Sequence, residues 1–317
     1  MSLIIKKIIQ PAGVLFFLLF SLLSASAFAT ESHLVAVLLS ADEPAYEEAA
    51  RSFIAEYNRP VRQFSLHGRL EEVPRVMDEI LVAKPSLILA LGAKAAYAAK
   101  VWTAKTGMPP VLFAMVINWR HFNFIGTQKN ILGIDTAPPP GSELAYLTMF
   151  APKVRRIGMI YSRRSKETVE QISKNAAMLG LELIVVSIDQ PDEFQTSFKR
   201  LSRKIDGFIA IRDPQVYTLE NLDWLADRCS KAGIACLGRS PELAERGLML
   251  TVSPGPVDLA LQAVSMTEAI LKGDLDIANA GVTPPLSVRV VLNLTAADKL
   301  NMVISEAAMD TATDILP

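Results

Sequence analysis

Short apolar runs alternate with longer amphipathic segments along the chain, and this alternation leaves few folds open. HLVAVLL (His33–Leu39) has the length and uniform apolarity of a strand buried on both faces. EPAYEEAARSFIAEYN follows, with Ala45, Ala49, Phe53 and Ile54 recurring at helical spacing. VRQFSL and SLILAL continue as strands, LEEVPRVMDEILVA (despite Pro74) and AKAAYAAKVWTA as helices, and PVLFAMV as a fourth strand. Strands separated by helices imply a parallel sheet covered by helices.

The texture then changes. NILGIDTAPPPGSELAYLTMFAPK carries Pro138, Pro139, Pro140 and Gly141. Consecutive prolines fit neither a helix interior nor a central strand, so this stretch predicts a crossing between lobes, followed by a helix from Ser142 to about Phe150. After it the pattern restarts: RRIGMIYSRRSKETVEQISKNAAMLG repeats the opening order of strand, serine, charged turn and amphipathic helix, with Ser162 in the place of Ser40. LELIVVSI, PDEFQTSFKRLSRK, IDGFIAIRD and IACLGRS continue the plan. MLTVSPGP, a helix closed by Gly273 and LSVRVVLNLTAADKL add further crossings. The expected architecture is α/β, with two similar doubly wound parallel-sheet lobes joined by a multi-strand hinge. Lobe 1 takes residues 30–140 plus 254–286, and lobe 2 residues 141–253 plus 287–317.

Residues 1–29 read as a secretory signal peptide. Lys6 and Lys7 form the positive end, Ala12–Leu23 the short apolar region, and Ala27 and Ala29 the small residues of the cleavage site. An apolar run of that length falls short of a membrane span, and a periplasmic location is expected. With 32 basic against 33 acidic residues, the chain has no basic excess of the kind nucleic-acid partners require. Cys229 and Cys236 are expected to be two small buried residues; export also permits a disulfide.

In an open parallel sheet, ligands bind beyond the carboxyl ends of the strands. That rule selects Ser40, Asp42, Gly92, Ala93, Lys94, Asn118 and Trp119 in the first lobe. In the second it selects Tyr161, Ser162, Arg212, Asp213, Arg239 and Ser240, with Ser253 near a crossing. In LILALGAKAAYAAK, Gly92 permits a turn that a Cβ would obstruct, and the helix after it directs N–H groups towards an anion. The serine hydroxyls offer hydrogen bonds, Asp213 a partner for a ligand amine, and Trp119 a flat face. Lys94, Arg212 and Arg239 are candidates for an anion clamp. Serine and aspartate at such positions also serve as helix caps, and long basic side chains at a rim are also simply solvated; Trp102 and Trp224, within helices, read as packing. No G-x-S-x-G elbow, phosphate-binding loop or H-E-x-x-H motif is present, and His67 and His121 lack ligand-like spacing. Neither metal nor cofactor is expected, and the chain reads as a non-enzyme.

LILALGAKAAYAAK, NILGID, RIGMIYSRRS, AAMLGLELIVV, IDGFIAIRD, EAILKGDLDIANAGV and VVLNLTAADKLNM, in this order, resemble the ABC-transporter substrate-binding proteins of the type I periplasmic fold. The subgroup is the one that includes tryptophan/tyrosine-binding uptake proteins. The resemblance implies a monomer that closes on a small molecule, such as an amino acid or organic anion, and hands it to an inner-membrane permease. It also implies an acidic residue at the position of Asp213. The chain departs from the pattern at Ala93–Lys94, where relatives carry a hydroxyl residue, after the fourth strand (VINWRHF in place of an Asp), and in lacking a lipid-anchor cysteine. These departures leave open a periplasmic sensory or accessory protein that reports to a membrane partner without transporting.

Overall fold

The computed structural model describes residues 33–105, 107–126, 128–139 and 141–317. The expected signal peptide lies outside them. No described helix is long and apolar enough to cross a membrane.

Two sheets organise these residues. The first contains β1 (Val35–Leu39), β2 (Val61–Ser65), β3 (Leu87–Leu91), β4 (Val111–Ala114), β5 (Ile131–Ile134) and, from far along the chain, β11 (Val282–Thr283). The second contains β6 (Arg156–Tyr161), β7 (Glu182–Ser187), β8 (Gly207–Ala210), β9 (Ala235–Gly238), β10 (Leu250–Ser253), β12 (Arg289–Asn293) and β13 (Asp314–Leu316). Strand order is β11-β5-β4-β3-β1-β2 in one and β13-β12-β10-β9-β8-β6-β7 in the other. In both, the first five strands are wound identically: second, first, third, fourth, fifth. The internal repeat is thus a repeat of topology. All pairings are parallel except β10 with β12.

The connecting helices are α1 (Pro44–Glu56), α2 (Val73–Val82) and α3 (Ala93–Trp102) in the first half. In the second they are α4 (Ser142–Phe150), α5 (Lys166–Met178), α6 (Glu193–Leu201), α7 (Leu219–Ala232), α8 (Glu242–Glu245) and α9 (Pro256–Lys272). Pro74 sits in the first turn of α2, where its missing N–H removes no helical bond. Because side chains alternate across a strand, β1 feeds two cores. Val35, Val37 and Leu39 pack under α1 and α9, while Ala36 and Leu38 pack under α2 and α3. Its five residues are fully buried, whereas edge strands β2 and β7 show mixed exposure. The alanines of α3 (Ala95, Ala96, Ala98, Ala99) are buried and bring that helix close to the sheet.

The Pro-rich stretch after β5, the β10–α9 link and the segment between β11 and β12 all pass from one sheet to the other. β5 itself corrects the expectation that NILGID belongs to the crossing. Cys229 on α7 and Cys236 on β9 are both buried, as expected, and they are paired, Cα atoms 6.1 Å apart, the alternative that export permits. Opening this short loop by Cys229→Ala with Cys236→Ala is expected to cost about 2–3 kcal/mol. The check is the denaturant midpoint with and without reductant; equal midpoints would mean that the thiols are unpaired in solution.

Candidate functional site

Between the carboxyl ends of the two sheets lies a cavity of about 200 Å³. From the first lobe, the segment after β4 supplies Ile117, Asn118, Trp119 and Arg120, and the segment after β5 supplies Asp135 to Pro139. From the second come Arg212 after β8, Arg239 after β9, Gly141 and Glu143 at the start of α4, and the stripe Thr168, Gln171, Ile172 and Asn175 along α5. Spacings of three and four place that stripe on one helical face. Val282 and Pro284 close the cavity from the last crossing.

Charge in the cavity wall is almost entirely paired. Arg239 is buried and grips Glu143 through two parallel bonds, Nε to Oε2 at 2.9 Å and Nη2 to Oε1 at 2.5 Å. Glu143 stands in the first turn of α4, where the helix dipole favours a carboxylate. On the first-lobe side, Asp135 accepts from Trp119 Nε1 at 3.0 Å and from the Ala137 N–H at 2.9 Å. Arg120 lies 4.3 Å over the Trp119 ring and 3.7 Å from Asp135. It also reaches Glu167 of α5 at 3.4 Å, tying one lobe to the other.

Arg212 differs. Its Nε donates to the Arg239 carbonyl at 2.9 Å, and among the described residues no carboxylate forms an ion pair with it. Burial, and then the neighbouring Arg239 charge, hold its pKa below the ordinary guanidinium value, with Glu242 and Tyr46 pulling the other way. Tyr46 of α1 feels the Arg212 charge across the gap. Burial and Glu43 raise the Tyr46 pKa, and Arg212 opposes them.

The loop that carries Asn118 and Trp119 is conformationally costly. Met115, Asn118 and Asn123 have φ of 60°, 52° and 50°, a region that asparagine tolerates and most residues avoid.

Asn118, Trp119, Arg212 and Arg239 therefore reach the cavity; the other selected residues do not line it. Ser40 is buried, and its Oγ accepts from the Ala95 N–H at 2.9 Å, capping the start of α3. Gly92 turns with φ 88°, and a Cβ there would lie 2.6 Å from both Ser40 Oγ and the Tyr46 hydroxyl. The junction of β1 and β3 is thus filled by Tyr46, and Ala93 begins the capped helix behind it. Lys94 is exposed and donates to the Gly68 carbonyl, outside any anion clamp. Asp42 accepts from Ser65 Oγ at 2.6 Å and lies 2.6 Å from His67 Nδ1; these two bonds hold its carboxyl below the usual range.

The equivalent junction in the second lobe is filled in the same way. Asp213, 3% exposed, accepts from the Ser162 N–H at 2.8 Å, the Ser162 hydroxyl at 3.1 Å and the Gln215 N–H at 3.3 Å. Its carboxylate is spent on the fold and is not presented to an amine. Tyr161 ends β6 beside it, and Ser240 donates to Glu242. Ser253 ends β10 with its hydroxyl buried and, among the described residues, without a partner. Arg239, selected for an anion, is neutralised by Glu143. Arg120, Asp135, Glu143, Thr168, Gln171 and Asn175 are polar cavity residues that the sequence selection did not include. Of these, Thr168, Gln171 and Asn175 left a signal, their shared helical spacing.

The fold and this cleft have counterparts among solved structures. An ABC domain from Streptococcus pneumoniae in complex with L-Trp is 18% identical, with a TM-score of 0.64 over 90% of this chain and 100% of that one. The ligand-free, open structure of a substrate-binding protein with adhesive properties from Clostridium difficile is 17% identical, with a TM-score of 0.75 over 90% and 99%. A leucine-binding protein from Thermotoga maritima is 12% identical, with a TM-score of 0.52 over 78% and 86%. These likenesses establish the type I periplasmic-binding fold. No curated protein matches the sequence. The family model described as ABC transporter substrate binding protein matches residues 58–316, so the chain belongs to that family, one that binds rather than catalyses.

Proposed function

We propose that the chain is the exported substrate-binding component of an ABC uptake system. It takes a small molecule between its lobes and presents it to an inner-membrane permease. The observation that carries this reading is the cavity walled by residues after β4, β5, β8 and β9, with Arg212 as a partly desolvated cation that has no ion-pair partner among the described residues. A protein that needed the pocket only for packing would gain from an apolar side chain there instead. Export rests on the Lys6/Lys7, apolar and A-x-A pattern of the first 29 residues. Each sheet with its covering helices forms one lobe, divided at 30–140 plus 254–286 and 141–253 plus 287–317, and the crossings between them are the hinge.

A ligand that touches both lobes favours the closed arrangement. Saturation at 100 times its dissociation constant is expected to stabilise the protein by about 2.7 kcal/mol and to reduce the radius of gyration. Calorimetry and small-angle scattering on the same sample provide the check. A compound that stabilises the protein without compacting it would count against closure and favour a sensory role.

A further inference from the structure

The structure points to the charge of the cargo: we propose that the cavity takes a monocarboxylate, a small organic acid bearing one net negative charge and no ammonium group. This rests on the substrate-binding reading above and narrows it.

Two of the three cations in the cavity wall are already matched. Arg239 is held by Glu143, and Arg120 by Asp135 and Glu167. Arg212 remains, with Nε on the Arg239 carbonyl. The wall is therefore complementary to a single negative charge. A carboxylate pairs with a guanidinium through two parallel N–H···O bonds, and burial makes that pairing count. Asn175 also lines the cavity and is 8% exposed, so its amide can add a hydrogen bond to a bound carboxylate. Gly141, which precedes α4, lines the same side of the wall.

A zwitterion would need, in addition, an acceptor for its ammonium, and both carboxylates that line the cavity, Asp135 and Glu143, are engaged. Both Glu143 oxygens face Arg239. Asp135 has one oxygen on Trp119 and the other on the Ala137 N–H. Asp213 is turned into Ser162 and lies outside the wall. Burying an ammonium without a partner costs far more than leaving it in water.

Matched pairs test this on the wild-type protein: 3-phenylpropanoate against L-phenylalanine, 3-(indol-3-yl)propanoate against L-tryptophan, and 4-methylpentanoate against L-leucine. Each pair shares a skeleton and differs by the ammonium group. Titration calorimetry at pH 7 is expected to give, for at least one pair, an acid that binds about tenfold or more tightly than its amino acid. Arg212→Gln should weaken that acid by about tenfold or more, with Lys94→Gln, at the exposed rim, leaving it unchanged. Amino acids that bind as well as their acids in every pair that binds overturn the charge assignment and leave the substrate-binding reading standing. Binding by none of the six compounds also overturns it, and takes the wider reading with it only if no other small molecule compacts the protein. Acid binding unaffected by Arg212→Gln overturns the assigned site.

Discussion

Glu143→Gln is expected to destabilise the protein by about 3–5 kcal/mol, the range for removing one partner of a buried ion pair. The substitution preserves shape and removes charge alone. Arg239, 8% exposed, would keep its guanidinium in the wall with a neutral amide in place of a carboxylate that accepts two bonds from it. The loss reflects the stranded charge more than the intrinsic worth of the pair. Replacing both residues should show the difference: Glu143→Leu with Arg239→Met removes the two charges together and is expected to recover most of the loss. The cycle of wild type, Glu143→Leu, Arg239→Met and the double variant, read from denaturant midpoints, gives the coupling. A single-variant cost below about 1 kcal/mol would mean that water reaches the pair as it does an exposed one. The effect extends to the cavity, because the carbonyl of Arg239 anchors Arg212 Nε. A stable variant with a displaced Arg239 should therefore also bind an anion less tightly.

The winding of the fold was legible because strands buried on both faces have to be continuous apolar runs. VAVLL, LILAL and GFIA are fully buried, and their composition says so. The same logic fails for β5 and β11. A four-residue ILGI beside a proline-rich crossing, and a two-residue VT, lack the length to separate a strand from a loop. The site was legible to the level of strand ends and no further. A serine after a strand uses the same hydroxyl to cap a helix or to hold a ligand. Ser40 caps α3, and Ser162 locks Asp213; nothing local distinguishes these roles from ligand contact. What closes both junctions comes from other segments: Tyr46 reaches over Gly92, and Asp213 reaches back across 51 residues to Ser162. Arg239 and Glu143, 96 residues apart, meet only because the second sheet brings β9 beside α4. A single sequence carries no trace of such pairings. Pairing is also what distinguishes Arg212 from the other two cations.

Gly92→Ala is expected to cost about 3 kcal/mol or more, because backbone and side-chain penalties act together. Gly92 has φ 88° and ψ 171°, a region that only glycine occupies freely, and an L-residue held there costs about 1–3 kcal/mol. The new methyl would lie 2.6 Å from Ser40 Oγ, 2.6 Å from the Tyr46 hydroxyl and 2.7 Å from the Tyr46 ring carbon that bears it. Ser40 is not free to withdraw. Ser40 Oγ holds the Ala95 N–H, and releasing that cap costs about 1 kcal/mol. The two penalties are separable. In a Tyr46→Ala background the methyl no longer meets the phenol and keeps only its contact with Ser40 Oγ, so Gly92→Ala should there cost less than in the wild type while the backbone share and the Ser40 contact persist. Denaturant midpoints of the four proteins measure this directly. Equal costs in both backgrounds would show that Tyr46 does not press on Gly92 in solution. A cost below about 1 kcal/mol in the wild-type background would show that residue 92 adopts a conformation open to any L-residue, and that the β1–β3 junction is less closed than described.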